Sequence, residues 1–156
     1  MVDDVDLRIV ALLQENARTP NAEIARRLGM APSAILERVR KLEERGVIQG
    51  YATLVNPDAV GLGLTAFVSV RANERAGAVN TSRALAAFPE VQEVHHVAGE
   101  DCFLVKVRVA NARALGTLLS ERFGTVDTIV STRSTIVMET VKETTVLPLP
   151  EEVSRD

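Results

Sequence analysis

The chain has 156 residues but only one cysteine, no tryptophan and 3% aromatic residues. A single cysteine excludes an internal disulfide and is typical of a reducing compartment, and the shortage of aromatics predicts an aliphatic core. No apolar run approaches the length of a membrane span, and the acidic start MVDDVDLR argues against a signal or transit peptide. We therefore expect a cytoplasmic protein with no membrane partner.

Motifs of the common enzyme classes are also missing. The sequence has no Walker loop, no dinucleotide-binding glycine fingerprint and no paired-carboxylate motif. The two histidines, His95 and His96, are adjacent, and neighbours on a strand point to opposite faces, so they cannot easily share a metal. Cys102 lacks an identifiable oxyanion-hole motif and a third triad member. We expect no catalytic residue, metal site or cofactor, with one histidine half-buried at a sheet and the other facing a subunit interface.

What the chain does have is a helical pair over residues 19–48. A hydroxyl cap at Thr19 and the proline after it predict a helix start, and Gly29 predicts its end. Pro32 opens a second helix, which Gly46 closes. Two short helices joined through a glycine are typical of a helix-turn-helix. In that motif the second helix enters the DNA major groove and its N-terminal residues contact base edges.

The second helix divides into a buried stripe and a polar surface. Ile35, Val39 and Leu42 recur at helical spacing, with Leu36 beside them, and predict the buried side. We expect base-edge contacts from Ser33, Ala34 and Glu37, a contact shared between base and backbone from Arg38, and phosphate contacts from Arg40, Lys41 and Arg27. Residues 26–45 hold six basic and three acidic side chains in a chain of net charge −3, which suits double-stranded DNA. Such a hairpin can also serve only for docking or dimerisation.

The remaining pattern predicts two domains. An Asp3 or Asp4 cap opens a first helix that runs to about Gln14, which completes a three-helix domain over residues 1–50. A connector follows over 51–62, with a strand-like stretch at 51–57 that ends in a turn. Strands are predicted at 64–71, 91–98, 102–109 and 131–146, and helices at 80–88 and 111–124. This β-α-β-β-α-β order predicts an α+β chain with a ferredoxin-like antiparallel sheet over 63–146 and a trailing tail over 147–156.

Two helices can cover only one face of this sheet. The other face is predicted to carry Phe67, Leu104 and either Ile136 or Met138. So much apolar surface rarely stays exposed. We expect it to pack against a second copy of the chain.

Several motifs together resemble the Lrp/AsnC, or feast/famine, family of transcriptional regulators. They are LERVRKLEERGVIQGY at 36–51 with LVNP at 54–57, HVAGEDCFLVK at 96–106, and VMETVK at 137–142, which resembles the last strand of that family. The resemblance implies an N-terminal DNA-binding domain and a C-terminal domain that binds an amino acid. It also implies homodimers that assemble into tetramers or octamers, with effector sites between dimers.

The chain departs from the family pattern at two places. Ala31 stands where the family often has a serine cap, a loss of about 1 kcal/mol of helix stability that Ser33 or solvent would have to offset. The effector loop of the family often contains Gly-Asp-x-Asp, whereas this chain has Gly99-Glu100-Asp101-Cys102. The expected location of the pocket is unchanged, but the ligand it selects is open.

The residues of this loop are chemically suited to an amino acid. Gly99 lets a ligand approach the backbone, and Glu100 and Asp101 offer carboxylates for an α-amino group. Cys102 is expected to be either a small buried hydrophobic residue or part of the pocket wall. Exposed backbone amides can hold an α-carboxylate. The last strand offers hydroxyls from Thr132, Ser134 and Thr135.

The sequence leaves alternatives open. Gly-Glu-Asp is also an ordinary polar hairpin turn, and threonine-rich strands are common for propensity reasons alone. We predict a sequence-specific transcriptional regulator modulated by an amino acid or a related metabolite. The alternative is a small-molecule-binding or catalytic ferredoxin-like protein whose N-terminal helices only dock.

Overall fold

The computed structural model of the chain describes residues 2–73 and 79–149. Two compact units are present. The first comprises the residues up to Leu54 together with those from Glu143 onward, and the second comprises Val55–Lys142. Within the described residues, no helix is both long and apolar enough to cross a membrane.

The first unit contains three helices: α1 (Asp4–Glu15), α2 (Asn21–Leu28) and α3 (Pro32–Glu44). Asp3 caps α1 by a capping box, in which its carboxylate accepts from the Asp6 amide at 2.8 Å and the Asp6 carboxylate accepts from the Asp3 amide at 3.3 Å. This reciprocal arrangement satisfies two amides that the first turn would otherwise leave without partners. An aspartate cap at this end was predicted.

Helix α2 starts differently from the prediction. Pro20 is the cap residue and no side chain caps the helix, whereas the hydroxyl of Thr19 donates back to the Asn16 carbonyl at 2.7 Å. The predicted Thr19 cap is therefore wrong, because the hydroxyl closes the preceding turn instead. Gly29 ends the helix at φ +65°, as predicted, in a conformation that glycine adopts at little cost.

Helix α3 begins at Pro32 after Ala31, and no side chain caps its first turn. Ser33 therefore does not replace the missing hydroxyl cap. Ile35, Val39 and Leu42 are buried with Ile9 of α1 and Ile24 of α2, and these residues form the core of the unit. Leu36 is 58% exposed, so the expectation that it joins the buried stripe is wrong.

The second unit is a four-stranded antiparallel sheet with helices on one face. The order of strands across the sheet is β2-β3-β1-β4, the order expected of a ferredoxin-like fold, so the predicted fold class is confirmed. In chain order the elements are β1 (Leu64–Ala72), α4 (Asn80–Ala86), β2 (Val91–His96), β3 (Phe103–Val109), α5 (Ala112–Thr117) continued by a π turn (Leu118–Arg122) and a 3₁₀ turn (Phe123–Thr125), and β4 (Ile129–Ile136).

Alternate residues of β1 and β3 build the core of this sheet. Val68 and Val70 of β1 and Val105 and Val107 of β3 are fully buried. They pack with residues from the helical layer, namely Leu85, Leu115, Leu118 and Phe123. Burial of every second strand residue is the signal on which the prediction rested, and the structure confirms both inward-facing sets.

The connector contains no strand. The predicted strand-like stretch at 51–57 is irregular, and a 3₁₀ turn (Asp58–Val60) follows it. The side chain of Asn56 accepts from the Asp58 amide at 3.0 Å and starts this turn. The prediction of a turn at this point is correct, but among the described residues no strand pairs with residues 51–57 to hold them in a sheet.

The last strand is shorter than predicted. β4 ends at Ile136 and not at residue 146, and the segment 137–142 that resembles a strand of the family is irregular here. The amide of Val137 still donates to the Thr65 carbonyl at 2.9 Å, but β1 begins at Leu64. Beyond that point no strand among residues 2–73 and 79–149 pairs with the backbone of the segment.

The sheet face away from the helices is only partly apolar. Phe67 is 36% exposed and Leu104 is half-buried, in keeping with the prediction. Ile136 lies opposite Ala66 and so points to the helix-covered side, which corrects its expected placement, and Met138 lies beyond the strand and is 95% exposed. Lys106 is buried on the open face, where its ammonium lies 3.3 Å from Glu93.

The C-terminal segment returns to the first unit. The side chain of Gln14 and the backbone of Leu147 form two hydrogen bonds, of 3.1 and 2.7 Å. The predicted trailing tail at 147–156 thus begins with an anchored residue. Its positions 150–156 lie outside the described residues.

Candidate nucleic-acid interface and effector loop

The polar face of α3, which we call the recognition helix, is solvent-accessible. Ser33, Glu37, Arg40 and Lys41 are exposed and Ala34 is half-buried. Ser33 and Glu37 are one helical turn apart and lie on the same side as the two basic residues. Because Ile35, Val39 and Leu42 are buried, the core sets which side of the helix is presented.

The cations of this face are paired with carboxylates. Arg40 bonds to Glu37 at 2.9 Å and to Glu44 at 2.8 Å, and the Lys41 ammonium lies 3.4 Å from Glu37. The Arg40 guanidinium, and after it Lys41, lowers the pKa of Glu37. Exposed pairs of this kind are weak, so DNA phosphates can take the place of the carboxylates.

A second group of pairs lies on α2. Arg27 bonds to Glu23 at 2.9 Å and also approaches Glu15 at 3.9 Å. Hydrogen bonds from Arg26 and then Arg27 lower the pKa of Glu23 to about 2. Arg27 is half-exposed by its side chain, and its charge remains accessible to a polyanion.

Arg38 has partners that the sequence did not predict. Its Nη1 donates to Asp3 Oδ2 and to Asp6 Oδ1, each at 2.7 Å. These bonds raise the pKa of Arg38 and lower the pKa of Asp3. The guanidinium of the recognition helix that was expected to contact bases is therefore bonded to the first turn of α1. Spacing along the sequence predicts the capping box but not this contact, which joins positions 32 and 35 residues apart.

The β2–β3 hairpin contains the loop that we call the effector loop, residues 97–102. The Val97 amide donates to the Cys102 carbonyl at 2.9 Å and closes it. Gly99 has φ +123°, which side-chain-bearing residues rarely adopt. Glu100 is exposed, Asp101 and Cys102 are half-buried, and the four residues predicted from sequence therefore lie together.

Asp101 is already bonded to a cation. Arg133 of β4 donates to Asp101 Oδ2 at 2.7 Å, and this residue was missed by sequence reasoning. The only available signal was its position between two of the predicted hydroxyl residues. A carboxylate beside a guanidinium offers one partner to each charge of a zwitterion.

The three predicted hydroxyls do not converge. Thr132 lies opposite Val70 and Ser134 opposite Val68, which places both on the helix-covered side of the sheet, whereas Thr135 lies opposite Phe67 on the open side. This arrangement follows from the two-residue period of a strand. Within one chain the three hydroxyls therefore do not form one cluster, and their role across a contact between dimers stays a prediction.

The histidines are both exposed, so the expectation of one half-buried histidine is wrong. His95 lies 3.0 Å from Glu93, and the His96 ring stacks on Phe103 with 5.1 Å between centroids. The Cys102 sulfur lies 3.7 Å from the carbonyl oxygens of Ala72 and Glu100. Among the described residues, no three His, Cys, Asp or Glu side chains are arranged to hold a metal ion.

Comparisons with known proteins match both units. Residues 2–43 match the AsnC-type helix-turn-helix domain, and residues 65–147 match the Lrp/AsnC ligand binding domain. The chain is 41% identical to the HTH-type transcriptional regulator LrpA of Mycobacterium tuberculosis, over 89% of this chain and 91% of that protein. It is 38% identical to the leucine-responsive regulatory protein of Escherichia coli, over 91% and 88% of the two chains.

Solved structures agree with the sequence matches. The feast or famine regulatory protein from M. tuberculosis, complexed with L-methionine, superposes with a TM-score of 0.87 and 39% identity, covering 96% of this chain and 100% of that one. These relatives are regulators and not enzymes, which removes the catalytic alternative. The chain belongs to the Lrp/AsnC family of DNA-binding transcriptional regulators.

Proposed function

We propose that α3 lies in the major groove of a specific operator and that an amino acid bound at the effector loop alters this binding. The observation that carries the proposal is the presentation of α3. Its apolar stripe is buried in the three-helix core, and its N-terminal polar residues are left accessible. This is the geometry in which a helix-turn-helix contacts base edges.

Three side chains have the chemistry for contact with bases. The Ser33 hydroxyl can donate or accept, the Ala34 methyl group suits the methyl group of thymine, and the Glu37 carboxylate can accept from the amino group of cytosine. Ser33 and Ala34 lie in the first turn of α3, the part that enters the groove first. Together they define sequence preference.

Phosphate contacts come from Arg40, Lys41 and Arg27. Each of these cations exchanges a carboxylate partner for a phosphate when DNA binds, and each exchange releases counterions from the DNA. The net charge of the chain is −3, so the protein does not coat DNA through general attraction. Binding is therefore strongest at low to moderate salt and at specific sites.

The open face of the sheet is the proposed dimer contact. Phe67 and Leu104 give it apolar surface, and the ion pair between buried Lys106 and exposed Glu93 adds a polar element. A dimer presents two recognition helices, so the operator is a palindrome whose half-sites lie about one helical turn, or a multiple of it, apart. Dimers assemble further into tetramers or octamers, and the protein acts in the cytoplasm.

An amino acid is the proposed effector. A relative with the same fold is complexed with L-methionine, and the effector loop of this chain pairs Asp101 with Arg133. A zwitterion inserted between them places its ammonium on Asp101 and its carboxylate on Arg133. Cys102 contributes a soft, small wall suited to an apolar side chain.

Selection of bound sequences from a pool of random duplexes tests both parts. We expect enrichment of an inverted repeat at low salt, and a change of enrichment or of sedimented mass with at least one member of an amino-acid panel. The absence of any enriched sequence would favour helices that only dock. Enrichment that no amino acid changes, with constant mass, would reject the effector alone.

A further inference from the structure

One arginine of the recognition helix is bonded to the start of another helix and is only partly exposed. The Arg38 side chain is 31% exposed, and its single Nη1 atom lies 2.7 Å from a carboxylate oxygen of Asp3 and 2.7 Å from one of Asp6. The remaining predicted cations of α3, Arg40 and Lys41, are 56% and 59% exposed and pair only within their own helix. Arg38 alone among these three connects α3 to α1.

The capping box of α1 fixes both carboxylates independently of Arg38. Asp3 and Asp6 cap each other's amides at the start of α1. The Asp6 side chain is only 9% exposed, and a buried carboxylate is costly without a countercharge. The capping box therefore presents a rigid anionic site, and Arg38 supplies the matching cation.

Apolar packing alone fixes the orientation and axial position of α3 less strictly than hydrogen bonds do. Ile35, Val39 and Leu42 bury one side of the helix, but apolar contacts are non-directional. Charge-assisted hydrogen bonds are short and directional. Two such bonds from one nitrogen to a fixed pair of carboxylates resist rotation of α3 about its axis and sliding along it.

We propose that Arg38 is a positioning residue. It fixes the rotation of the recognition helix about its axis, and its position along that axis, so that Ser33 and Glu37 contact the bases. The inference rests on the proposed function of α3. It replaces a direct contact of Arg38 with DNA, because the guanidinium stays bonded to Asp3 and Asp6 while α3 lies in the groove.

The two roles differ in how binding depends on the partners of Arg38. If Arg38 positions the helix, neutralising the Asp6 carboxylate lowers DNA affinity even though Asp6 lies on another helix. If Arg38 contacts DNA, the same change frees the guanidinium and leaves binding unchanged or tighter. The salt dependence also differs, because each lost phosphate contact lowers the slope of log affinity against log salt by about 0.9.

The test uses the full chain and a duplex selected by the wild-type protein, with a shuffled duplex of equal length for comparison. The variants are Arg38→Met, Arg38→Lys and Asp6→Asn, with Asp4→Asn as the control, because Asp4 is an exposed acid on the same turn of α1. Circular dichroism defines a temperature at which every variant used is folded, and affinities are measured there against salt.

The expected result is a loss of about tenfold or more for Arg38→Met and Asp6→Asn on the selected duplex, with an unchanged salt slope. Arg38→Lys recovers part of the loss, because one nitrogen makes both bonds, and Asp4→Asn binds as the wild type does. Should Arg38→Met fail to fold, Asp6→Asn and Arg38→Lys decide the question.

Three results overturn the proposal. The first is full or improved DNA binding by Asp6→Asn. The second is a slope of log affinity against log salt that is lower in Arg38→Met by about 0.9, the value of one phosphate contact. The third is an affinity that neither Arg38→Met nor Asp6→Asn changes. Failure of the wild-type protein to select any duplex is a different outcome, which rejects the proposed function itself.

Discussion

Gln14 and Leu147 bond to each other as two peptide groups of neighbouring strands do. The Gln14 Nε2 donates to the Leu147 carbonyl at 3.1 Å, and the Gln14 Oε1 accepts from the Leu147 amide at 2.7 Å, across 133 positions of sequence. The side chain of α1 thus satisfies both backbone groups of one residue in an otherwise irregular segment.

Loss of this pairing should release the C-terminal segment. We expect Gln14→Ala to lower the free energy of unfolding by about 0.5–1 kcal/mol, the lower part of the range for hydrogen bonds because both residues are accessible. Removal of the chain after Lys142 should have a similar effect, and the two changes together should not add. Additive losses in chemical denaturation would show that Gln14 acts elsewhere.

Replacement of Glu37 should separate affinity from specificity. Glu37→Gln leaves Arg40 and Lys41 without their shared carboxylate, so binding to unrelated duplexes should tighten several-fold while discrimination falls. Glu44→Gln is the matched control, because it removes the other carboxylate of Arg40 outside the first turns of α3. Equal discrimination in both variants, measured by competition between selected and shuffled duplexes, would contradict a role of Glu37 in contact with bases.

Two glycine substitutions should have opposite effects. Gly99→Ala places a side chain at φ +123°, and the strain should destabilise the effector loop by about 1–2 kcal/mol. Gly116 lies exposed within α5, and nothing lies within 4 Å of an added methyl group there, so Gly116→Ala should stabilise the chain by about 0.5–1 kcal/mol. Thermal unfolding of both variants measures the difference, and the same sign for both would contradict the assigned loop conformation.

Arg133 should be needed for binding of the effector. With L-methionine as the probe, Arg133→Met and Asp101→Asn should each weaken binding by about tenfold, the effect of one charge-assisted hydrogen bond. Arg71→Met serves as the control, because Arg71 is an exposed arginine on the neighbouring strand β1. Calorimetry that finds the same dissociation constant for all three variants and the wild type would remove the pair from the site.

Acid should weaken the first unit through Glu23. Its pKa is lowered in the fold from 4.5 to about 2, so the folded state favours the charged form. The stabilisation is present above pH 4.5 and is lost as the pH falls towards 2. The difference in melting temperature between wild type and Glu23→Gln should therefore shrink over this interval, and a constant difference would contradict the pairing with Arg26 and Arg27.

Periodic burial explains which features were predictable from the sequence. Ile35, Val39 and Leu42 mark a helix, and Val68 and Val70 mark a strand, because each pattern reflects local geometry alone. The sheet order then follows from the β-α-β-β-α-β sequence of elements. The end of β4 was not predictable in this way, because it depends on where β1 starts.

The unpredicted parts of the site are contacts between distant residues. Arg38 was assigned to DNA because it is a cation on a polar helix, and only the fold brings Asp3 and Asp6 to it. Arg133 likewise reaches Asp101 from another strand. A sequence shows which charges exist, whereas the pairing of charges depends on tertiary structure.

The return of the chain at Glu143 has a consequence for the order of events during synthesis. The apolar core of the helical unit is complete once Ile48 has left the ribosome, yet its bonds to Leu147 must wait until the entire sheet has been made. The first unit therefore begins to fold before the second but forms its last hydrogen bonds after the second has been synthesised.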